Sequence, residues 1–482
     1  MRILLAAAEV NPFAKTGGLA DVAASLSRAI MSAGHDIRVV LPAYRCVDPW
    51  RERFTQTGEG IRVRLGPDED RAQIWEGNLE GLRVYLIGNQ ELYNRDGLYG
   101  EPGGSDYPDN ARRFAFFCRA ALEMLKSISF HPEVIHCNDW HTALIPVYLK
   151  TLMRDDPFYQ PVRSVFTIHN LGYQGRFDVS QREQLGLDDH PELSGYLEFH
   201  GGINLMQGGI RAADLVTTVS PTYAREVQEV ELGFGLEGEI RARAERFYGI
   251  LNGIDEKEWN PESDPWISPA YNSGGSGLGK YSNKKRLRQE LGLEDSDAPL
   301  LAVVSRLAEQ KGIDLLLEVL PALLQEGTQV AVLGTGDPGT EGQLSQLAAR
   351  FPGRCSFNSI FSNPLAHRIY AGADILMVPS RYEPCGLTQM IGLRYGTVPL
   401  VRATGGLADT VLDVGDSSGK GNGFVFRGYQ ASEMLETCQR ALAFYRKPEE
   451  WSQLVKRGMN ADYSWKRSAL EYIALYYKVS VE

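Results

Sequence analysis

The stretch RILLAAAEVNPFAKTGGLADVAASLSRAIMSAGHDIRVVL, residues 2–41, decides the fold class. From Arg2 to Ala8 runs a continuous apolar segment, the pattern of a parallel strand buried on both faces, and a loop containing Pro and Gly follows. Leu19, Val22, Ala23, Leu26, Ile30 and Ala33 then recur at spacings of three and four, which predicts a helix with one buried face. Gly34 is placed to end that helix, and Ile37 to Leu41 reads as the next strand. Strand, helix and strand in this order make a βαβ unit.

Working outward, short apolar runs at Val134 to Cys137, Val165 to Ile168 and Leu215 to Val219 alternate with helical stretches, which predicts an α/β fold with a doubly wound parallel sheet. A second series follows Asn252, with runs at Leu300 to Val304, Val330 to Leu333, Ile375 to Val378 and Pro399 to Val401, separated by helical patterns such as Gly312 to Gln325. Between the two lies the densest Pro/Gly/Ser segment, WNPESDPWISPAYNSGGSGLGKYSNKK at 259–285, and its SGGSGLG part reads as a surface loop. The expected division is one domain over 1–250 and a second over 251–461. An aromatic-rich helix within 462–482 packs back on the first.

Composition bounds the setting. Hydrophobic residues are 43% and charged residues 23% of 482, ordinary for a globular chain, and 50 glycines exceed the usual share of about 7%. Fifty basic against 61 acidic residues give a net charge of −11, so nucleic acid and anionic membrane surfaces are excluded as partners of the chain as a whole. No run reaches the roughly 18 apolar residues of a membrane span, and the N-terminal apolar run is too short for a signal-peptide core. Six scattered cysteines without a CxxC pair read as reduced thiols, so the expected location is cytoplasmic, or the plastid stroma for the mature form of a plant or algal protein.

Several motifs mimic chemistry. Gly334 to Gly339 fits GxGxxG after a strand, but Pro338 interrupts it and the region some 20 residues on has no acidic residue for a ribose. Gly274 to Lys280 fits GxxxxGK, but Tyr281 stands where Ser or Thr is needed. His136 and His141 have the wrong spacing for one helical face and no Cys/His cluster near them, so no metal site is expected. One echo is closer: Thr16-Gly-Gly-Leu-Ala-Asp21 recurs letter for letter as Thr404-Gly-Gly-Leu-Ala-Asp409. Each copy stands between a strand-like and a helix-like run, as a Gly-Gly helix start suited to an anion.

In open α/β sheets ligands bind beyond the carboxyl ends of the strands, and there the sequence is polar. Lys15, Gly17 and Gly18 follow the first run, then Asn138-Asp139, His169-Asn170 and Ser220; the second series ends in Ser305-Arg306 with Lys311 behind, Gly334, and Ser380-Arg381-Tyr382-Glu383. The cations Lys15, Arg306 and Lys311, with Gly-rich turns on one rim, suit a phosphorylated ligand.

KTGGLADV, HCNDWHTAL, FTIHNLGYQG, LNGID, SRLAEQKGID and SRYEPCGLTQ, in that order, closely resemble the bacterial glycogen synthases and plant starch synthases, and the resemblance extends from Glu9 to Tyr463-Ser464-Trp465. It implies a GT-B type glycosyltransferase: two Rossmann-like domains facing a deep cleft, with no cofactor and no essential metal. The implied reaction moves glucose from ADP-glucose to the 4-hydroxyl at the non-reducing end of an α-1,4-glucan, with retention. By the same resemblance Lys15, Gly17 and Gly18 hold the diphosphate and glucose of the donor, and Arg306 and Lys311 neutralise the leaving diphosphate. Glu383 binds glucose hydroxyls, Cys385, Gly386 and Leu387 line the sugar, and Thr388 approaches the distal phosphate. Asp139 and His169 sit by the transferred sugar, with Asn252, Asp21, Tyr93 and the Gly334 turn in support. Asp21 also suits the first turn of a helix, Cys385 also suits a packed thiol, and Tyr93 also suits loop packing. Many related retaining transferases carry a second glutamate eight positions after the first, where this chain has Ile391. UDP-glucose as donor, and a silent glucan-binding relative, are the alternative readings.

Overall fold

The computed structural model describes residues 1–101, 104–186 and 194–481, so Glu482 of the expected C-terminal segment lies outside it. Contacts divide the chain into one unit formed by Met1–Gly253 with Trp465–Glu482 and a second formed by Ile254–Ser464. Among the described residues no helix is long and apolar enough to cross a membrane.

The first unit is built on a sheet whose parallel part runs, in spatial order, Phe247–Gly249, Leu215–Thr218, Arg163–Ile168, Val134–Asn138, Arg2–Ala6, Asp36–Pro42 and Leu82–Gly88. Strand order reverses at Arg2–Ala6, which pairs with Asp36–Pro42 on one side and Val134–Asn138 on the other. Helix Gly18–Ser32 connects the first two strands and buries Leu19, Val22, Ala23, Leu26 and Ile30, the face the spacing of its apolar residues predicts. Beyond Leu82–Gly88 the sheet continues antiparallel through Asp68–Leu79 to Phe54–Gln56, with Ile61–Leu65 pairing on Asp68–Leu79. Sequence reasoning did not find this extension, although Ile61, Val63 and Leu65 alternate with Arg62 and Arg64.

The helix Trp465–Val481 packs against Gly18–Ser32 and buries Trp465, Tyr472, Ile473 and Tyr476. A buried polar chain ties it to the sheet. The Tyr476 hydroxyl lies 2.7 Å from His136 Nδ1, His136 Nε2 lies 2.6 Å from Thr167 Oγ1, and Thr167 Oγ1 lies 2.6 Å from Thr217 Oγ1. Burial pushes His136 down to about 3, so the ring is neutral and is held by these hydrogen bonds and by its contacts with the Tyr472 and Tyr476 rings.

The second unit is all parallel, in the order Cys355–Asn358, Gln329–Leu333, Leu300–Val304, Ile375–Val378, Val398–Arg402, Phe424–Phe426, and its order reverses at Leu300–Val304. The SGGSGLG segment departs from its reading as a surface loop, because helix Ser276–Leu291 begins inside it. Gly279 meets Tyr271 so closely that a Cβ there would lie 2.3 Å from the Tyr271 Cβ. The Lys280 ammonium donates to the carbonyls of Tyr370, Ala371 and Tyr395 at 3.1–3.2 Å and to the Thr397 hydroxyl at 2.8 Å. Lysine is here a half-buried cap for two helix ends rather than a phosphate ligand.

Candidate functional site

In each unit the polar residues cluster at the carboxyl ends of the strands that flank the reversal of strand order, where an open α/β sheet leaves a crevice. In the first unit the loop after Arg2–Ala6 carries Lys15 and Gly17. Lys15 Nζ lies 2.7 Å from Asp21 Oδ1, which also accepts from Asn11 Nδ2 at 3.0 Å. Burial holds the Asp21 carboxyl above the ordinary range, against the opposing pull of Lys15. Sequence reasoning missed Glu9. One of its oxygens accepts from the backbone of Thr16 (2.5 Å) and Gly17 (3.1 Å), and the other from the hydroxyls of Thr16 and Tyr99 (2.6 Å each). The Gly17 amide, read as a phosphate donor, is thus engaged by an internal carboxylate. The face of Gly17 where a side chain would start is open, with nothing among the described residues within 4 Å, and Gly18 beside it is exposed.

Asp139 follows Val134–Asn138 directly at φ 57°, a backbone region that non-glycine residues rarely occupy outside functional sites. Its Oδ1 accepts from the His169 amide at 2.8 Å, and His169 Nε2 lies 2.9 Å from Asn138 Oδ1. Burial lifts the Asp139 carboxyl to about 7 and drops the His169 ring to about 3, each against its charged form. Between pH about 4 and 7 the folded state therefore keeps an Asp139 proton that the unfolded chain has released, so the contribution of Asp139 to stability falls as pH rises through that window. Asp139→Asn is expected to raise the melting temperature at pH 8, by about 1–3 kcal/mol in stability, with the gain vanishing toward pH 4. Calorimetry across that range checks it; a gain independent of pH refutes the assignment.

Asn252 is buried and its Oδ1 has no hydrogen-bond partner among the described residues, an acceptor left for a ligand. Tyr93 is not brought to this rim, since it is fully buried and its hydroxyl donates to the Arg113 carbonyl at 2.7 Å. Beside Asp139 opens a cavity of about 670 Å³ lined by Tyr107, Asn110, Trp140, Tyr173, Phe177 and Phe234, among others. Aromatic faces mixed with amides suit the flat faces and hydroxyl edges of sugars.

In the second unit Glu383 is buried, and its Oε2 accepts from Lys311 Nζ at 2.7 Å and Ser380 Oγ at 2.9 Å. Lys311 is aimed there by the turn at Gly312, whose φ of 68° and approach to Pro379 leave a Cβ only 2.1 Å from the Pro379 oxygen. Arg306 is exposed, and its guanidinium makes no hydrogen bond or ion pair among the described residues. Gly334 is required by packing, because its Cβ would lie 1.9 Å from the Ser305 oxygen on the adjoining loop. Cys385 is buried, Gly386 takes φ 72°, and Leu387 and Thr388, both half-buried, open the helix Thr388–Arg394.

The second TGGLAD copy does not present an open helix start. A Cβ on Gly405 would lie 1.9 Å from the Glu383 oxygen, and one on Gly406 1.9 Å from the Cys385 oxygen. The Gly406 amide donates to the Glu383 carbonyl at 3.1 Å. From the other side Gln389 Nε2 donates to the carbonyls of Cys385 (3.2 Å) and Gly386 (2.9 Å). This copy braces the Glu383–Gly386 backbone instead of facing an anion. Among the described residues no cluster of three or more His, Cys, Asp or Glu is disposed to hold a metal.

The family described as "Starch synthase catalytic domain" matches residues 2–242, and that described as "Glycosyl transferases group 1" matches residues 283–457. The chain is 47% identical over 479 residues to a glycogen synthase of Syntrophotalea carbinolica, covering 99% of both chains. It is 45% identical over 479 residues to a glycogen synthase of Geobacillus stearothermophilus, covering 99% of this chain and 97% of that one. In structure it matches the catalytic domain of starch synthase IV from Arabidopsis thaliana bound to ADP and acarbose, with a TM-score of 0.91 and 35% identity over 100% of this chain and 99% of that one. Likeness of this degree over the full chain, on two Rossmann-like units of the GT-B type, shows that the chain belongs to the glycogen and starch synthase family of glycosyltransferases.

Proposed function

We propose that the protein transfers glucose from ADP-glucose to the non-reducing 4-hydroxyl of an α-1,4-glucan, with retention at the anomeric carbon. The observation that carries an active transferase, rather than a silent glucan-binding relative, is the buried Glu383–Lys311 pair with its Ser380 hydrogen bond. Enclosing an ion pair costs about several kcal/mol in desolvation, a cost with no return in a protein that only binds glucan. The second unit takes the donor: Glu383 meets glucose hydroxyls, Arg306 and Lys311 face the diphosphate, and Cys385, Gly386, Leu387, Thr388 and the Gly334 turn line it. The first unit takes the acceptor, with the aromatic cavity holding the glucan and Asp139, His169, Asn252 and Lys15 around the transferred sugar. Phe361, 83% exposed on the loop after Cys355–Asn358, offers a ring face to the nucleotide base.

As the bond to ADP breaks, negative charge gathers on the diphosphate and positive charge on an oxocarbenium-like sugar. Fixed lysine and arginine charges therefore bind the transition state more tightly than the ground state. ADP as leaving group is supported by the solved relative, which was bound to ADP and acarbose. Six free cysteines fit work in a reducing cytoplasm. The test is a competition between ADP-glucose and UDP-glucose on a defined maltooligosaccharide, with the anomer of the new bond read by NMR. ADP-glucose is expected to be consumed first, giving an α-linkage. UDP-glucose consumed first replaces the donor, and a folded, saturated protein releasing nucleotide from neither removes the reading.

A further inference from the structure

We propose that Asn138 is a positioning residue that fixes His169 as its Nε2–H tautomer, keeping Nδ1 as an acceptor for a hydroxyl of the transferred sugar. The proposal rests on the reading above in placing His169 by that sugar. The tautomer itself follows from the bonding pattern.

Asn138 is the last residue of Val134–Asn138 and is 1% exposed. Its side-chain nitrogen faces two carbonyls, Ala6 at 3.1 Å and His136 at 3.3 Å. Carbonyls only accept, so the amide must present its NH2 group to them and its oxygen to the other side. That oxygen lies 2.9 Å from His169 Nε2 and also only accepts, so Nε2 must carry the hydrogen. The backbone is held independently, by Asp139 Oδ1 accepting from the His169 amide at 2.8 Å. Ring and main chain are thus fixed by two neighbouring residues on the adjoining strand end. Because burial keeps the ring neutral, the Nδ1 lone pair is retained, and Nδ1 makes no hydrogen bond among the described residues.

The consequence is chemical. A sugar hydroxyl both donates and accepts, so a ring free to exchange tautomers would accept two arrangements of the sugar, whereas a fixed lone pair accepts one. A neutral ring turned lone pair first also places the negative end of its dipole toward a sugar that gains positive charge as ADP leaves. A protonated imidazole there would oppose that charge.

The test uses full-length protein labelled with 15N-histidine, with His169 assigned by comparison with His169→Gln. In the wild type the His169 long-range 15N–1H pattern is expected to be that of Nε2–H throughout pH 5–9. Asn138→Ala is expected to show mixed tautomers across that range. It should lose about 10- to 100-fold in kcat, with KM for donor and acceptor changed less than about threefold. Asn138→Asp is isosteric. Protonated toward the Ala6 and His136 carbonyls, it still offers an oxygen to Nε2, and it should restore both the tautomer and most of the turnover. An Nδ1–H wild type overturns the proposal whatever the variants do. So does Asn138→Ala that keeps the tautomer, or loses it with kcat unchanged. These spectra need no turnover, so a protein inactive with every nucleotide-glucose removes the functional reading while the tautomer result stands.

Discussion

Glu383→Gln is expected to lower kcat by about 10³-fold while the protein stays folded, the largest effect of any single side chain in the second unit. The substitution keeps shape and removes charge. Lys311, 2.7 Å away with its side chain only 18% exposed, loses its counter-charge and with it the contact that holds the ammonium in place. Two contributions to catalysis fall together: the hydroxyl contacts of Glu383 and the placement of the Lys311 charge for the diphosphate. Lys311→Met should therefore cost a similar amount, and the double variant little more than either, because the two act as one unit. ADP release at saturating substrate measures the loss, and circular dichroism establishes the fold. A kcat within tenfold of the wild type, or fully additive losses, would falsify the assignment.

The two TGGLAD copies should respond oppositely to the same change. Gly405→Ala forces a Cβ to within 1.9 Å of the Glu383 oxygen, backbone that cannot move without moving Glu383 and Cys385. We expect the second unit to melt several degrees lower, and activity to fall by about 10²-fold or more, since misplacement by roughly 1 Å is enough for that. Gly17→Ala meets nothing within 4 Å at an extended backbone (φ −151°, ψ −165°) that alanine adopts freely. Its melting temperature should be unchanged, and any loss should appear as raised KM for the donor. Equal destabilisation of both variants would mean that the open face of Gly17 is filled in solution.

This contrast shows what was legible in the chain. The parallel strands were readable because burial on both faces leaves unbroken apolar runs, and the rim residues because polar groups stand where those runs stop. What Gly405 and Gly406 face was not readable, since identical letters meet open space in one unit and the Glu383–Cys385 backbone in the other. Glu9 escaped notice, and Asn138 was legible only as one polar residue of the rim, because their work is done on residues distant in the chain: Tyr99 is 90 positions from Glu9, and His169 is 31 from Asn138. Gly279 and Lys280 looked like loop because glycine-rich composition is a local signal. The packing of Tyr271 and the carbonyls of Tyr370, Ala371 and Tyr395 that bury them belong to the tertiary fold. The sign of the Asp139 shift was equally hidden, as it comes from enclosure.

The helix Trp465–Val481 sets an order of assembly during synthesis. Ile254–Ser464 is contiguous and emerges from the ribosome complete, whereas the first unit waits for its last helix through roughly 210 further residues. At bacterial and eukaryotic translation rates of about 5–20 residues per second that is a delay of roughly 10–40 s. Throughout it His136 lacks its Tyr476 partner, and the face of Gly18–Ser32 that the last helix covers stays wet. A chain stalled or cleaved before residue 465 therefore keeps every residue of the candidate site and still lacks a finished first unit, so a truncated product is left to chaperones and proteases rather than released as a half-competent enzyme.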